Sequence, residues 1–172
     1  MFILAQILGI IALVILVISF QKNEKKELLR YQIFASIFFA LQYLFLNAIN
    51  GFLMNVMTII RNLIFEKQIK KVPIIYLIVI ILSIMLITIM SYNGLISLLP
   101  AISVILYSIG VWQNNLKITR ILEVISCILF VIYNINVLAI AGIISSLIEL
   151  SSTLIAIYRF DIKNKNEKLK EI

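Results

Sequence analysis

The chain has 172 residues, of which 63% are hydrophobic and 13% are charged, with a net charge of +7 and a mean hydropathy of +1.12. An average soluble domain is about half apolar and about a quarter charged, so this composition excludes a water-soluble globule and a disordered chain. Histidine is absent and Cys127 is the only cysteine, which excludes imidazole metal sites, histidine proton relays and an internal disulfide. The composition predicts an integral membrane protein.

Seven apolar segments follow one another along the chain, and we predict that each forms a transmembrane helix. They are Phe2–Phe20, Tyr31–Ile49, Gly51–Phe65, Pro73–Met90, Leu95–Trp112, Ile121–Ile135 and Val137–Phe160. A helix that crosses a bilayer needs about 17–25 residues, and the third and sixth segments are shorter than that. Taken alone, either of these two could lie at the membrane interface or re-enter it.

The basic residues favour a full crossing by all seven segments. Lysines and arginines occur in the first, third and fifth connections and in the C-terminal tail, whereas the second, fourth and sixth connections have none. Under the positive-inside rule this alternation places the N-terminus outside and the tail in the cytoplasm. It also accounts for the positive net charge without a nucleic-acid partner. Because no basic region precedes the first segment and no small-x-small cleavage site follows it, we expect a retained helix rather than a signal peptide.

A weak internal repeat relates the two halves of the chain. Phe20-Gln21-Lys22-Asn23 ends span one much as Trp112-Gln113-Asn114-Asn115 ends span five. Matching residues then recur about ninety positions later, as Arg30 with Arg120, Ser36 with Ser126, Tyr43 with Tyr133 and, after a one-residue slip, Gly51 with Gly142. Spans one to three and five to seven would run in the same direction, which is a known transporter plan.

We therefore predict an all-α integral membrane protein in which seven transmembrane helices form two parallel three-helix bundles. The bundles occupy residues 1–65 and 95–160, a linker helix lies within 66–94, and a cytoplasmic tail covers 161–172. Span four supports the linker assignment, because its only polar side chains are those of Tyr76, Ser83 and Thr88. A helix that faces lipid is expected to be this apolar.

Polar side chains recur at helical spacing on the other spans, for example Gln32, Ser36, Tyr43 and Asn47 on one face of span two. Serines and threonines are common between packed membrane helices, whereas buried amides have several groups to satisfy. Our candidates for a solute pathway are Gln42, Tyr43, Asn55, Arg61, Asn62, Tyr133, Asn134, Glu149 and Ser152.

Two of these candidates, Arg61 and Glu149, are ionisable residues inside predicted spans. Arg61 lies near the cytoplasmic end of span three and could extend to the interface. Glu149 lies near the middle of span seven, where a carboxyl group is either a structural acid or part of a substrate or proton path. Each lies on the third helix of its repeat, so we predict that both face the interior, as a direct pair or across a polar cavity.

These features favour a transporter or facilitator for a small polar solute, with its pathway between the bundles. The alternative is a non-transporting membrane protein that binds a partner or lipid, in which the polar stripes only hold helices together. We do not expect an enzyme, because the sequence has no nucleophile–base pair, metal cluster or glycine-rich phosphate loop. No cofactor or metal is expected, and membrane lipid is the predicted partner.

Two sets of residues resemble the YgjV-type family of bacterial inner membrane proteins. The first set is Ala40-Leu41-Gln42-Tyr43, Asn50-Gly51, Asn55 and Arg61-Asn62-Leu63, and the second is Arg120, Tyr133-Asn134, Gly142, Glu149, Ser151 and Tyr158-Arg159-Phe160. The resemblance covers roughly residues 1–160. It implies a location in the bacterial cytoplasmic (inner) membrane and a topology similar to the 3+1+3 helices of SWEET and PnuC transporters. Phe20-Gln21 stands where SWEET proteins have Pro-Gln, so their proline-hinged gating is not implied.

Overall fold

In the computed structural model, which describes residues 1–20, 25–67, 72–113 and 115–163, the chain forms helices and turns and has no strand in these ranges. The prediction of an all-α protein is confirmed. Seven α-helices lie in the described part: α1 Phe2–Phe20, α2 Lys25–Phe45, α3 Ile49–Lys67, α4 Ile74–Met90, α5 Leu99–Trp112, α6 Leu116–Asn136 and α7 Ile140–Ala156. A 3₁₀ turn, Leu95–Leu98, precedes α5, and a π-helical segment, Ile157–Lys163, continues α7.

Several helices extend beyond the predicted apolar segments. The second begins at Lys25 and the sixth at Leu116, while the third continues to Lys67. Lysine, glutamate and arginine are good helix formers, so these charged ends lengthen the helices without adding hydropathy. Pro100 lies in the first turn of α5, where its missing N–H removes no helical hydrogen bond.

Four stretches are long and apolar enough to cross a membrane: Phe2–Ser19, Leu95–Trp112, Lys117–Asn136 and Ile140–Arg159. The fourth helix, Ile74–Met90, is apolar but slightly shorter. Large apolar side chains cover the outer surface, for example those of Ile10, Leu86 and Ile155, which are all exposed. Such a surface is unsuited to water and is the surface expected of a protein in contact with lipid.

The helices pack in two sequential groups that also touch each other. The second helix packs along α1 and α3, and α6 packs along α5 and α7. Contacts of α1 with α7 and of α3 with α5 join the groups, while α4 packs against α5 and α3. Small buried residues such as Ala12 and Ala35 lie in the core between α1 and α2, where they allow close approach of the helices.

The turns after α2 and α6 have the same backbone geometry. Asn47 and Leu138 both adopt a positive φ of 56°. The N–H of Ala48 donates to the carbonyl of Tyr43, and the N–H of Ala139 donates to that of Asn134. Tyr43 is therefore equivalent to Asn134 in this turn, one residue away from the Tyr43–Tyr133 correspondence suggested by the sequence. The repeat residues Gln21, Lys22, Asn23 and Asn114 lie outside the described residues, as does most of the predicted tail.

Polar side chains join the helix ends that have no basic residues in their connections. Gln6 of α1 donates to the carbonyl of Leu138 (2.9 Å) and accepts from the N–H of Ile140 (3.2 Å), at the turn between α6 and α7. The hydroxyl of Ser91, just after α4, donates to the side-chain oxygen of Asn50 at the start of α3 (2.6 Å).

Ion pairs join helix ends next to the basic connections. Arg30 near the start of α2 contacts Glu66 near the end of α3 (2.6 Å). Arg120 near the start of α6 contacts Asp161 after α7 (2.7 Å). The two kinds of helix end therefore differ in chemistry, with neutral polar contacts at one kind and charged contacts at the other.

Candidate functional site

A cavity of about 120 Å³ lies among the helices and receives side chains from both groups. An apolar cavity of roughly 150 Å³ can hold a molecule of the size of benzene, so this one is large enough for a small solute or several water molecules. Its polar lining consists of Gln32, Ser36, Tyr43, Asn55, Thr58, Arg61, Asn62, Tyr107, Glu123, Ser126, Asn134, Ser145, Ser146 and Glu149. All helices except α4 contribute to the wall, with Leu16 as the contribution of α1.

The third helix shows why the polar residues gather there. Its buried residues include Asn55, Arg61 and Asn62, whereas Ile60 and Leu63 are exposed. In a soluble protein the polar residues of a helix face outward into water. Here the surroundings are lipid, so the polar residues of α3 face inward, where they can form hydrogen bonds. The interior is therefore the polar side of α3.

Six of the nine candidate residues lie on the cavity wall: Tyr43, Asn55, Arg61, Asn62, Asn134 and Glu149. The other three lie elsewhere. Gln42 is fully buried and faces α1, where its amide nitrogen donates to the side-chain oxygen of Gln6 (3.4 Å). A side chain added at Gly9 of α1 would clash with Gln42. Tyr133 accepts a hydrogen bond from the N–H of Gly51 (2.8 Å). Ser152 is exposed, at the edge of the inward face of α7.

Arg61 points into the protein and not to the membrane interface, since it is only 2% exposed. Its Nε and Nη2 atoms donate to Oδ1 of Asn62 at 3.1 and 3.0 Å, and Nη1 contacts the hydroxyl of Ser108 at 3.4 Å. The guanidinium lies 4.7 Å from the ring centroid of Tyr107, a cation–π contact of the kind that stabilises a desolvated cation by about 2 kcal/mol. All of these partners are neutral.

Glu149 lies on the cavity wall, where its Oε2 accepts a weak hydrogen bond from the thiol of Cys127 at 3.8 Å. None of the ion pairs within the described ranges joins it to Arg61. Of the two arrangements predicted for these charges, the structure has the one in which both face a shared cavity without direct contact.

A second acid, Glu123 of α6, also lines the cavity. In the sequence Arg120 lies three residues before Glu123, a spacing that would allow the two to pair on one helix face. In the structure Arg120 contacts Asp161, and Glu123 faces inward. This part of the wall therefore has two carboxyl groups, one on α6 and one on α7.

Hydrogen bonds between the two helix groups border the cavity. The hydroxyl of Tyr43 donates to Oδ1 of Asn134, whose amide contacts the hydroxyl of Ser146 at 3.4 Å. A Cβ at Gly51 would lie 2.7 Å from the ring of Tyr43, so glycine is what permits α3 to approach this tyrosine. These contacts join α2 and α3 to α6.

Several wall residues were not among the candidates. Gln32 and Ser36 were visible on the polar stripe of span two, and their inward position follows from it. Cys127 is buried, with 4% of its surface exposed, and it also lies on the wall. The sequence does not indicate that Tyr107 lies at the site, because the rest of α5 is mostly apolar. The contact of Tyr107 with Arg61 depends on how two helices that are distant in sequence pack together.

Comparison with protein families matches residues 3–164 to the model of Imp-YgjV, described as a bacterial inner membrane protein. No curated protein and no solved structure matches the chain. The family match covers nearly the whole sequence and agrees with the several apolar helices. The protein therefore belongs to the YgjV family of bacterial inner membrane proteins.

Proposed function

We propose that the protein transports or facilitates the passage of a small polar solute, and that the solute binds in the cavity between α1–α3 and α5–α7. The observation that carries this proposal is the cavity wall, which receives residues from all six of these helices. Protein interiors rarely leave voids much larger than a water molecule. A cavity between two helix groups that carries polar and ionisable side chains on its wall is thus more than helix packing requires.

The proposed architecture is seven spans arranged as two parallel three-helix bundles with α4 as the linker. Three features support it: the sequential packing of α1–α3 and of α5–α7, the matching turns at Asn47 and Leu138, and the absence of α4 from the cavity wall. Rocking of one bundle against the other around a fixed site is the usual motion in such a plan.

The proposed orientation places the N-terminus outside and the C-terminal end in the cytoplasm. The helix ends joined by Arg30–Glu66 and Arg120–Asp161 lie next to the basic connections, whereas the ends at Gln6 and Asn50 have neutral contacts. Cytoplasmic loops are enriched in lysine and arginine, so this difference supports the assignment.

Uptake by purified protein in proteoliposomes tests the transport proposal. We would screen radiolabelled small polar solutes against protein-free vesicles, and repeat any positive with Glu149→Gln. Because Glu149 lies on the cavity wall, we expect this variant to reduce uptake at least tenfold. Ser151→Ala is the matched control on the same helix, since Ser151 is exposed and its hydroxyl bonds only its own helix. Equal uptake by wild type and Glu149→Gln would contradict a pathway through this cavity.

A further inference from the structure

Two ionisable side chains of opposite type, the buried Arg61 and the partly buried Glu149, lie on the wall of one cavity, and their hydrogen-bond partners among the described residues are neutral. We infer that the solute of the proposed transport is a small zwitterion, whose carboxylate binds at Arg61 and whose ammonium group binds at Glu149. This inference rests on the proposed function, and it adds the chemical class of the ligand.

The Arg61 side of the cavity is built to receive an anionic group. A guanidinium has five N–H donors in a planar fork that matches a carboxylate. The contacts with Asn62 and Ser108 use Nε and one N–H of each terminal nitrogen, so one N–H on each terminal nitrogen is left for a ligand. Asn62 adds to this, because its Oδ1 accepts from Arg61 while its buried Nδ2 has no hydrogen-bond partner in the described part of the chain.

The Glu149 side has the opposite chemistry. Among the described residues, its carboxyl group receives only the weak thiol donor of Cys127, and Glu123 adds a second acid to this part of the wall. A carboxylate that is partly removed from water is stabilised by a cation or by hydrogen bonds. An ammonium group, with its three N–H donors, would supply both.

A zwitterion satisfies this wall better than a simple ion. An anion at Arg61 would leave the two acids without a cation, and a cation at Glu149 would leave Arg61 with neutral partners only. The volume of about 120 Å³ fits a compound of the size of L-alanine, given that roughly 150 Å³ holds benzene.

Four probes with the same number of non-hydrogen atoms separate the charge requirements. L-alanine has both charges, L-alaninamide lacks the carboxylate, L-lactate lacks the ammonium group, and L-lactamide lacks both. We would measure binding to the purified full chain in detergent by isothermal titration calorimetry. We expect L-alanine to bind at least tenfold more tightly than any of the other three.

Variants then assign each charge to its end of the ligand. Arg61→Gln should abolish the preference for L-alanine over L-alaninamide, and Glu149→Gln should abolish the preference for L-alanine over L-lactate. Each comparison is the ratio of two affinities measured on the same variant, so a moderate loss of protein stability does not change it. If Arg61→Gln does not fold, Arg61→Lys keeps the charge but not the fork and should weaken L-alanine binding. Ser151→Ala is the control and should bind like wild type.

The outcomes of these experiments distinguish the zwitterion assignment from the transport proposal on which it rests. Equal binding of all four probes, binding of none, or a preference unchanged in both variants would overturn the zwitterion assignment. If an uncharged solute is taken up and this uptake depends on Glu149, the transport proposal holds and the zwitterion assignment is overturned. Charge-dependent binding of L-alanine without uptake would support the ligand class and overturn transport.

Discussion

Arg61 shows what a single residue's sequence context can and cannot predict. Its position near one end of span three allowed either extension to the interface or an inward orientation, because an arginine side chain can do both from that depth. The structure has the inward orientation, with Tyr107 and Ser108 of α5 as partners. Those residues are distant in sequence, so no local pattern could have made the choice.

Gly51 allows a test at the same scale. An added methyl group would lie 2.7 Å from the ring of Tyr43 and 3.0 Å from that of Tyr133, and both tyrosines are buried. We expect Gly51→Ala to destabilise the protein by about 1–3 kcal/mol through overpacking, measured by thermal unfolding in detergent. Gly110→Ala is the control, since its nearest contact of 3.4 Å is ordinary. Equal melting temperatures for both variants would mean that the rings move apart freely.

At the scale of the helices, hydropathy predicts where each helix occurs but not the residues at which it begins and ends. All seven apolar segments coincide with helices in the described part of the chain. The predicted second segment does not include the charged first turns of α2, because an apolar segment is ended by lysine and glutamate residues even where the helix continues. The third helix and α2 have the lowest mean hydropathy of the seven helices. For α3 the polar residues on the cavity wall contribute to this, whereas for α2 the charged residues at its start contribute most. The most apolar helices are α1 and α4, and these two contribute least to the wall.

The two matching turns provide a prediction about backbone strain. Leu138 has a φ of 56°, a region that is unfavourable for leucine but well tolerated by asparagine, which occupies the equivalent position as Asn47. Since the side chain of Leu138 is 63% exposed, Leu138→Asn should stabilise the protein by about 1 kcal/mol. The reciprocal change, Asn47→Leu, should destabilise it by a similar amount. Thermal unfolding of the pair checks both signs, and destabilisation by Leu138→Asn would contradict the strain argument.

The fourth helix provides a prediction about the linker. The hydroxyl of Ser83 donates to the carbonyl of Val79, and that of Thr88 donates to Ile84, so both bond their own helix. Replacing Ser83 and Thr88 together with alanine should change the free energy of unfolding by no more than about 1 kcal/mol and leave uptake unchanged. A large loss of uptake with normal folding would mean that α4 lies along the solute pathway.

At the scale of the whole molecule, the loop charges lead to a test of orientation. Asn93 lies in a connection without basic residues, Lys117 is one of the two basic residues between spans five and six, and both are exposed. In a Cys127→Ser background, Asn93→Cys should react with a membrane-impermeant thiol reagent on intact cells. Lys117→Cys should react only after permeabilisation. The reverse pattern would invert the proposed topology, and external labelling of both would exclude the alternating crossings.

How the two helix groups touch could not be predicted, because it depends on side chains from helices far apart in sequence. The hydrogen bond from Tyr43 to Asn134 is such a contact, and it joins α2 to α6 at the cavity. A transporter must break contacts between its two halves on one side to admit solute. The native thiol of Cys127, on the cavity wall, can report that opening.

Tyr43→Phe removes this hydrogen bond and keeps the ring. A net contribution of about 0.5–1.5 kcal/mol per hydrogen bond corresponds to a shift of roughly two- to tenfold towards states in which this side is open. Cys127 should therefore react about two to ten times faster with an impermeant thiol reagent on intact cells. Tyr76→Phe, on the exposed side of α4, should leave the rate unchanged, and Cys127→Ser should abolish the reaction. If Tyr43→Phe reacts at the wild-type rate, this contact does not close the cavity, and the bond is structural.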